Sequence, residues 1–192
     1  NSLLAANQFG FRRNLGTADA LTGLHHSWAS SIGHGGAARV LAVDIAGAFD
    51  KVSHAGVLFK LQQCGIQGIL LAWLTSYLSN RSIQCVVGGA TSRPYPIKAG
   101  VPQGSILGPT MFLIYINDVS TCLAGNTQLE AYADDTTLYT LLRNDLPTAA
   151  ALLQDTVNRL SDWGKEWRVA FEPSKSQAMT VTLQRAQLAL PS

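Results

Sequence analysis

The chain has 192 residues, which suits one domain, or one subdomain pair, with a sizeable core. Hydrophobic residues make up 47% and charged residues 14%, which excludes a disordered tail or solvating linker. A net charge of +2 is far milder than expected of a protein that grips a long duplex, so charge alone gives no reason to invoke nucleic acid.

In chain order, Thr17 to Ile32 predicts a helix, with Leu21, Leu24, Trp28 and Ile32 near period 3.6 and Gly33 to Gly36 ending it. The adjacent His25 and His26 point to different sides of that helix and read as partly exposed residues, not ligands. Arg39 to Ile45 predicts a short strand, apolar on both faces as in a central strand covered on both sides. His54 to Cys64 and Gln67 to Leu78 predict two helices broken at Gly65, with Ser53 as a cap. Ser82 to Val87 and Tyr95 to Lys98 predict a hairpin around Gly88-Gly89. Leu107 to Leu123 predicts one long helix, too apolar for the surface and so expected beneath the sheet. Leu129 to Ala133 and Thr136 to Leu142 predict a second hairpin. Pro147 to Trp167 predicts an amphipathic helix with Leu153, Val157, Leu160, Gly164 and Trp167 on one face. Ala178 to Leu183 predicts the last strand. A hairpin and a separate central strand, covered by helices, make an α+β layer.

Several other classes find no support. Cys64, Cys85 and Cys122 lack metal-ligand spacing and are expected to be reduced, buried thiols of an intracellular protein. Asn1-Ser2-Leu3 does not read as a signal peptide, and the absence of an initial Met fits a fragment. The apolar run Ile66 to Leu78 is too short to span a bilayer, so no membrane role is expected.

Chemistry enters with the acids. Asp134 and Asp135 are expected together at the tip of the second hairpin. Asp is at home in a turn, but two adjacent carboxylates repel each other and call for a cation. Hard oxygen ligands favour Mg²⁺. Asp44 is the one charge inside its strand, and an unpaired buried carboxylate is costly, so it needs a partner or a metal. Asp50 reads instead as a surface or helix-capping acid. Pro102-Gln103-Gly104-Ser105 is a turn signal leading into the long helix. Gly104 permits close backbone approach to a ligand, and Gln103 carries both a donor and an acceptor.

These blocks, in this order, resemble the reverse transcriptases, and among them the non-LTR, LINE-type retrotransposon enzymes. The resemblance is carried by Val43-Asp44-Ile45 with Ala48-Phe49-Asp50, by Gly100-Val101-Pro102-Gln103-Gly104-Ser105, and by Tyr132-Ala133-Asp134-Asp135. Gln8-Phe9-Gly10-Phe11-Arg12, Thr17-Ala18-Asp19-Ala20-Leu21 and Phe112-Leu113-Ile114-Tyr115-Ile116-Asn117-Asp118 also match. Four ordered blocks are far more specific than a lone acidic pair.

The resemblance implies the palm of a right-hand polymerase, from 37 to 183 with a helical fingers insertion, partial fingers from 1 to 36, and no thumb. It implies an RNA-directed DNA polymerase acting on an RNA template, a DNA primer and dNTPs, in the nucleus or cytoplasm. Asp44, Asp134 and Asp135 would be the catalytic ligands of two Mg²⁺ ions, or Mn²⁺ in their place, with the Ile45 carbonyl adding an oxygen. Asp135 is also open to a supporting role behind the ligands. Phe49 would lie under the sugar of the incoming nucleotide and repel a 2′-hydroxyl; the plain alternative is a core phenylalanine. Gln103 and Gly104 would belong to the nucleotide site, and Tyr132 and Ala133 would lie beside the primer terminus. Lys175 would stand near the pyrophosphate leaving group, or else be a solvated loop lysine. Glu172 stands where the family more often has Asn. Arg12 and Arg13 would contact template phosphate. Two other readings stay open: a truncated, inactive remnant that only binds or assembles, and an RNA-directed RNA polymerase, which Phe49 opposes.

Overall fold

The computed structural model describes residues 3–142 and 146–183. A four-stranded antiparallel sheet carries the molecule, in the order β6-β7-β1-β8. Here β1 is Ala37–Val43, β6 Gln128–Tyr132, β7 Asp135–Leu142 and β8 Gln177–Thr182. β1 lies between β7 and β8, which explains its two apolar faces: side chains alternate across a strand, and helices cover both sides. On one face Ala38, Val40 and Tyr139 pack with Leu24 and Trp28 of α1 (Thr17–Gly33). Asp19 accepts the Gly16 N–H at the start of α1, which satisfies a donor that the helix leaves unpaired. On the other face Leu129, Ala131 and Leu138 pack against α4 (Leu107–Ile116), and Leu153, Leu160 and Trp163 of α5 (Leu146–Trp167) join the same core.

α2 (His54–Gln63) and α3 (Gly68–Leu78) follow β1, and the Ser53 hydroxyl accepts the Gly56 N–H as expected of a cap. Met111 to Ile116 of α4 are all buried, so this helix does lie under the sheet. It is shorter than its apolar run. It ends at Ile116, and a separate 3₁₀ turn covers Val119–Cys122. The break falls where Asn117 accepts the Ala5 N–H and Asp118 receives the Lys60 ammonium; these tertiary bonds outweigh helix propensity. The first hairpin is also interrupted. β3 (Val86–Val87) and β4 (Ala90–Thr91) pair around Gly88 and Gly89, both at positive φ as a two-residue hairpin turn requires. β2 (Ser82–Ile83) and β5 (Tyr95–Pro96) form a separate ladder. Between the ladders the Ser92 hydroxyl, not a ladder carbonyl, accepts the Cys85 N–H.

All three cysteines are free thiols, but only Cys122 is buried. Cys64 caps the end of α2 and Cys85 sits between the two ladders; both are exposed, against expectation. Among the described residues no helix is long and apolar enough to cross a membrane.

Candidate active site

Antiparallel register decides where the acids meet. Val43 of β1 pairs with Thr136 of β7, so the next residues, Asp44 and Asp135, stand at the same end of adjacent strands. Tyr132 pairs with Asp135, which makes Ala133 and Asp134 the two-residue turn between β6 and β7. Asp135 therefore opens β7 and is not at the tip beside Asp134, because pairing with Tyr132 draws it into the ladder.

The turn is held in an unusual conformation. Ala133 has φ 59°, a left-handed backbone that is costly for a residue with a Cβ. The buried Gln8 side chain supports it. Gln8 Oε1 accepts the Ala133 N–H at 2.8 Å and the Gly10 N–H at 2.9 Å, while Nε2 donates to the Ala133 carbonyl at 3.1 Å. The segment also pairs with β6, as Phe9 N–H donates to Ala131 O and Ala131 N–H to Asn7 O. A Cβ on Gly10 would collide with the Ala133 backbone nitrogen. Gln8 and Gly10 thus hold the turn that carries Asp134, a role that sequence reading left unassigned. The signal was present in Gln8-Phe9-Gly10, but not the turn that it serves.

Asp44 is held from the other side of β1. The Glu172 N–H donates to the Asp44 carbonyl at 2.9 Å, and the Ala46 N–H donates to Ala170 O at 2.8 Å. The bond from Glu172 is a backbone one, so Glu in place of Asn leaves it intact. The Lys175 ammonium, at the end of the 3₁₀ turn Pro173–Lys175 before β8, donates to Asp44 Oδ2 at 2.8 Å. Its pKa is drawn upward, first by that hydrogen bond and then by the Asp44 charge, with smaller contributions from Glu172 and Asp134. Lys175 is therefore paired with Asp44, while its side chain stays largely exposed.

Burial pushes the Asp134 carboxyl above the ordinary carboxylate range, and the negative charges of Asp135 and Asp44 add to the rise, while its own backbone and Lys175 oppose it. The charges of Asp44 and Asp135 thus both act on Asp134. The oxygens of the three acids are hard donors at one sheet end, a donor chemistry that suits a divalent cation. Among the described residues, however, no three His, Cys, Asp or Glu side chains are gathered closely enough to hold an ion as they stand. Lys175 supplies positive charge at Asp44 instead.

Phe49 is half-buried. It stacks on Phe112 with ring centroids 4.8 Å apart and meets Phe11 edge-on at 5.9 Å. Asp50 accepts from Gln103 Nε2 at 2.8 Å, and the Val101 N–H donates to Phe49 O, so the Gln103 loop is fastened beside Phe49. Gly104 has φ +77°, and a Cβ there would meet open space. Arg12 is turned to structure: its Nη1 donates to the Ala5 and Gln8 carbonyls. A groove of about 780 Å³ opens beside the cluster between α5 and β1. Leu41, Val43, Val157, Leu160 and Phe171 line it with Lys165 and Arg168, and among the described residues no carboxylate does, so it offers packing and not acid chemistry.

Comparison with known proteins gives the same direction. A family model described as reverse transcriptase (RNA-dependent DNA polymerase) matches residues 2–189. The chain is 32% identical over 182 residues to the probable RNA-directed DNA polymerase from transposon X-element of Drosophila melanogaster, covering 93% of this chain and 20% of that protein. It is 31% identical over 179 residues to the RNA-directed DNA polymerase from mobile element jockey of the same species, covering 90% and 19%. It thus spans about a fifth of the length of these curated relatives. The fold matches telomerase from Candida albicans, solved with a fragment of telomeric RNA, at TM-score 0.65 and 13% identity over 89% of this chain and 31% of that one. Apo telomerase from Candida tropicalis matches at 0.63 and 10%, covering 94% and 37%.

Proposed function

The chain belongs to the reverse transcriptase family, in its non-LTR retrotransposon branch, and from that membership we propose that it forms the catalytic core of an RNA-directed DNA polymerase. The observation that carries this reading is the register that puts Asp44 and the Asp134–Asp135 hairpin at the same end of the sheet, with the charges of Asp44 and Asp135 acting on Asp134. Residues 37–183 are the palm with a helical fingers insertion, and 1–36 are part of the fingers.

Asp44, Asp134, Asp135 and the Ile45 carbonyl would hold two Mg²⁺ ions, with Mn²⁺ as a substitute. Bound there, the ions supply a lowered pKa for the primer 3′-hydroxyl and neutralisation of the triphosphate charge. The protein's own groups do the rest. Lys175 Nζ, which holds a proton beside Asp44, would give it to a leaving pyrophosphate oxygen once that pair opens. Phe49, wedged between Phe11 and Phe112, keeps a rigid ring under the nucleotide sugar and repels a 2′-hydroxyl. The Gln103 amide, with Gly104 leaving room for close approach, orients the dNTP. Tyr132 and Ala133 would flank the primer terminus, and only the Arg12 nitrogens not spent on the Ala5 and Gln8 carbonyls would be left for template phosphate.

Primer extension on an RNA template tests the reading. Asp134→Asn should abolish Mg²⁺-dependent dNTP incorporation while leaving the melting transition in place. Incorporation that survives this substitution removes Asp134 from the mechanism. Failure of the parent protein itself to extend a primer would favour an inactive remnant.

A further inference from the structure

A second surface stands apart from the carboxylates. Between Asp50 and Asp118 the sequence contains no aspartate or glutamate, yet it carries Arg81, Arg93 and Lys98 on the exposed hairpin unit. Among the described residues Lys60, Arg159, Lys165 and Lys175 each pair with a carboxylate, whereas Arg81, Arg93 and Lys98 do not. Two of the three lie on aromatic rings instead. The Arg81 guanidinium sits 5.4 Å from the centroid of Tyr77, and that ring stacks on Trp73 with centroids 5.9 Å apart. The Arg93 guanidinium sits 5.1 Å from the centroid of Tyr95.

These groups form one surface. Ile83 pairs with Tyr95, and the Ile97 N–H donates to Arg81 O. Strand alternation therefore puts Arg81, Ile83 and Tyr95 on the same face of the ladder. Trp73 and Tyr95 are half exposed, at 51% and 49%. The face also leads into the Gln103 loop. From Tyr95 the chain runs through Lys98 to Gly100 and Val101, which bond to Val52 and Phe49, a reach of at most about 22 Å.

We propose that Trp73, Tyr77, Arg81, Arg93 and Tyr95 form a stacking platform for single-stranded RNA, which takes the unpaired template strand on its way to the Gln103 loop. Exposed rings accept any base face, guanidinium planes add stacking and charge, and the absence of carboxylates leaves phosphate unopposed. A protein partner of equal fit would need its own acids opposite three cations that lack a carboxylate partner, since among the described residues Arg81 and Arg93 donate only to Tyr77 O and to the Tyr95 hydroxyl. The proposal rests on the polymerase reading only for the identity of the strand.

Fluorescence anisotropy with a short labelled oligouridine tests it on the whole chain. Trp73→Ala combined with Tyr95→Ala should weaken binding at least fivefold, the loss expected from one unstacked base, with an unchanged salt slope. Arg81→Gln combined with Arg93→Gln should lower the slope of log K against log salt by about 1.4, two single-strand phosphate contacts. Duplex RNA should compete poorly, because its bases are already stacked. All these side chains are exposed or half-buried, and circular dichroism reports whether the fold is retained. Affinity within twofold of the parent in both double variants overturns the platform. So does a surface whose substitution abolishes self-association and leaves RNA affinity unchanged. Primer extension by the parent protein and oligouridine affinity of the double variants are read separately, so failure of the catalytic reading and failure of the platform give different results.

Discussion

The Lys175 ammonium donates to Asp44 Oδ2 at 2.8 Å, joining residues 131 positions apart in sequence. The acid at the end of the central strand thus meets a cation of the protein's own. A divalent ion that uses Asp44 must displace it. Lys175→Met should therefore tighten Mn²⁺ binding about two- to fivefold, the range of a partly exposed ion pair. A titration followed by electron paramagnetic resonance reads this without turnover. Equal affinity in the two proteins would show that the ammonium leaves Asp44 without cost.

Gln8 satisfies three backbone groups at the Asp134 turn. Gln8→Ala leaves the Ala133 N–H and C=O and the Gly10 N–H without these partners. The expected loss is about 2–4 kcal/mol, read as a lower denaturant midpoint with an unchanged m-value. Gly10→Ala should do similar damage by collision with Ala133, although it removes no hydrogen bond. A stable Gln8→Ala protein would mean that water replaces the clamp.

Lys60 is the buried cation of this core. It donates to Asp118 at 2.6 Å and to Tyr115 O at 2.6 Å, and it lies 3.8 Å from the Trp167 ring centroid. Burial lowers its pKa, and Asp118 opposes that shift. Asp118→Ala should cost about 3 kcal/mol, because it strands a desolvated charge and frees Trp163 Nε1 as well. Lys60→Met, which keeps the volume and removes the charge, should cost less. Denaturant unfolding of the two variants decides the order, and the reverse order would mean that the cation itself holds α2 on α5.

Glu130 sits in β6 with Oε2 buried and without a partner, and burial raises its pKa. A carboxyl raised in the fold holds its proton more tightly folded than unfolded. Stability contributed by the protonated form is present below the ordinary carboxylate range and is lost as pH climbs through the raised one. Glu130→Gln has no proton to lose. Above that window it should melt higher than the parent by roughly 2–4 °C, and below it the difference should shrink. Melting curves across acid and neutral pH check this, and a constant offset at every pH would exclude titration as the cause.

Much of this protein is written locally. α1, β1, α2, α3 and α5 follow from period and breaker residues to within a few positions, because each buries one stripe or both faces against its neighbours. Even the misread stretches have local causes that lost to distant ones. The apolar run after Leu107 goes on past Ile116, but Asn117 and Asp118 are claimed by Ala5 and Lys60. The acids were legible as a chemical need, since a lone charge in an apolar strand and two adjacent carboxylates are both costly.

The sequence by itself determined the elements, the acids and the family, because periodicity, turn chemistry and ordered motifs are properties of neighbouring residues. Only the tertiary structure decided that Asp135 enters a ladder, that Lys175 holds Asp44, that Gln8 clamps the Ala133 turn and that Arg12 serves backbone carbonyls. Those bonds join residues far apart in the chain, and a hydrogen bond across a folded sheet leaves no spacing in the sequence from which it can be read.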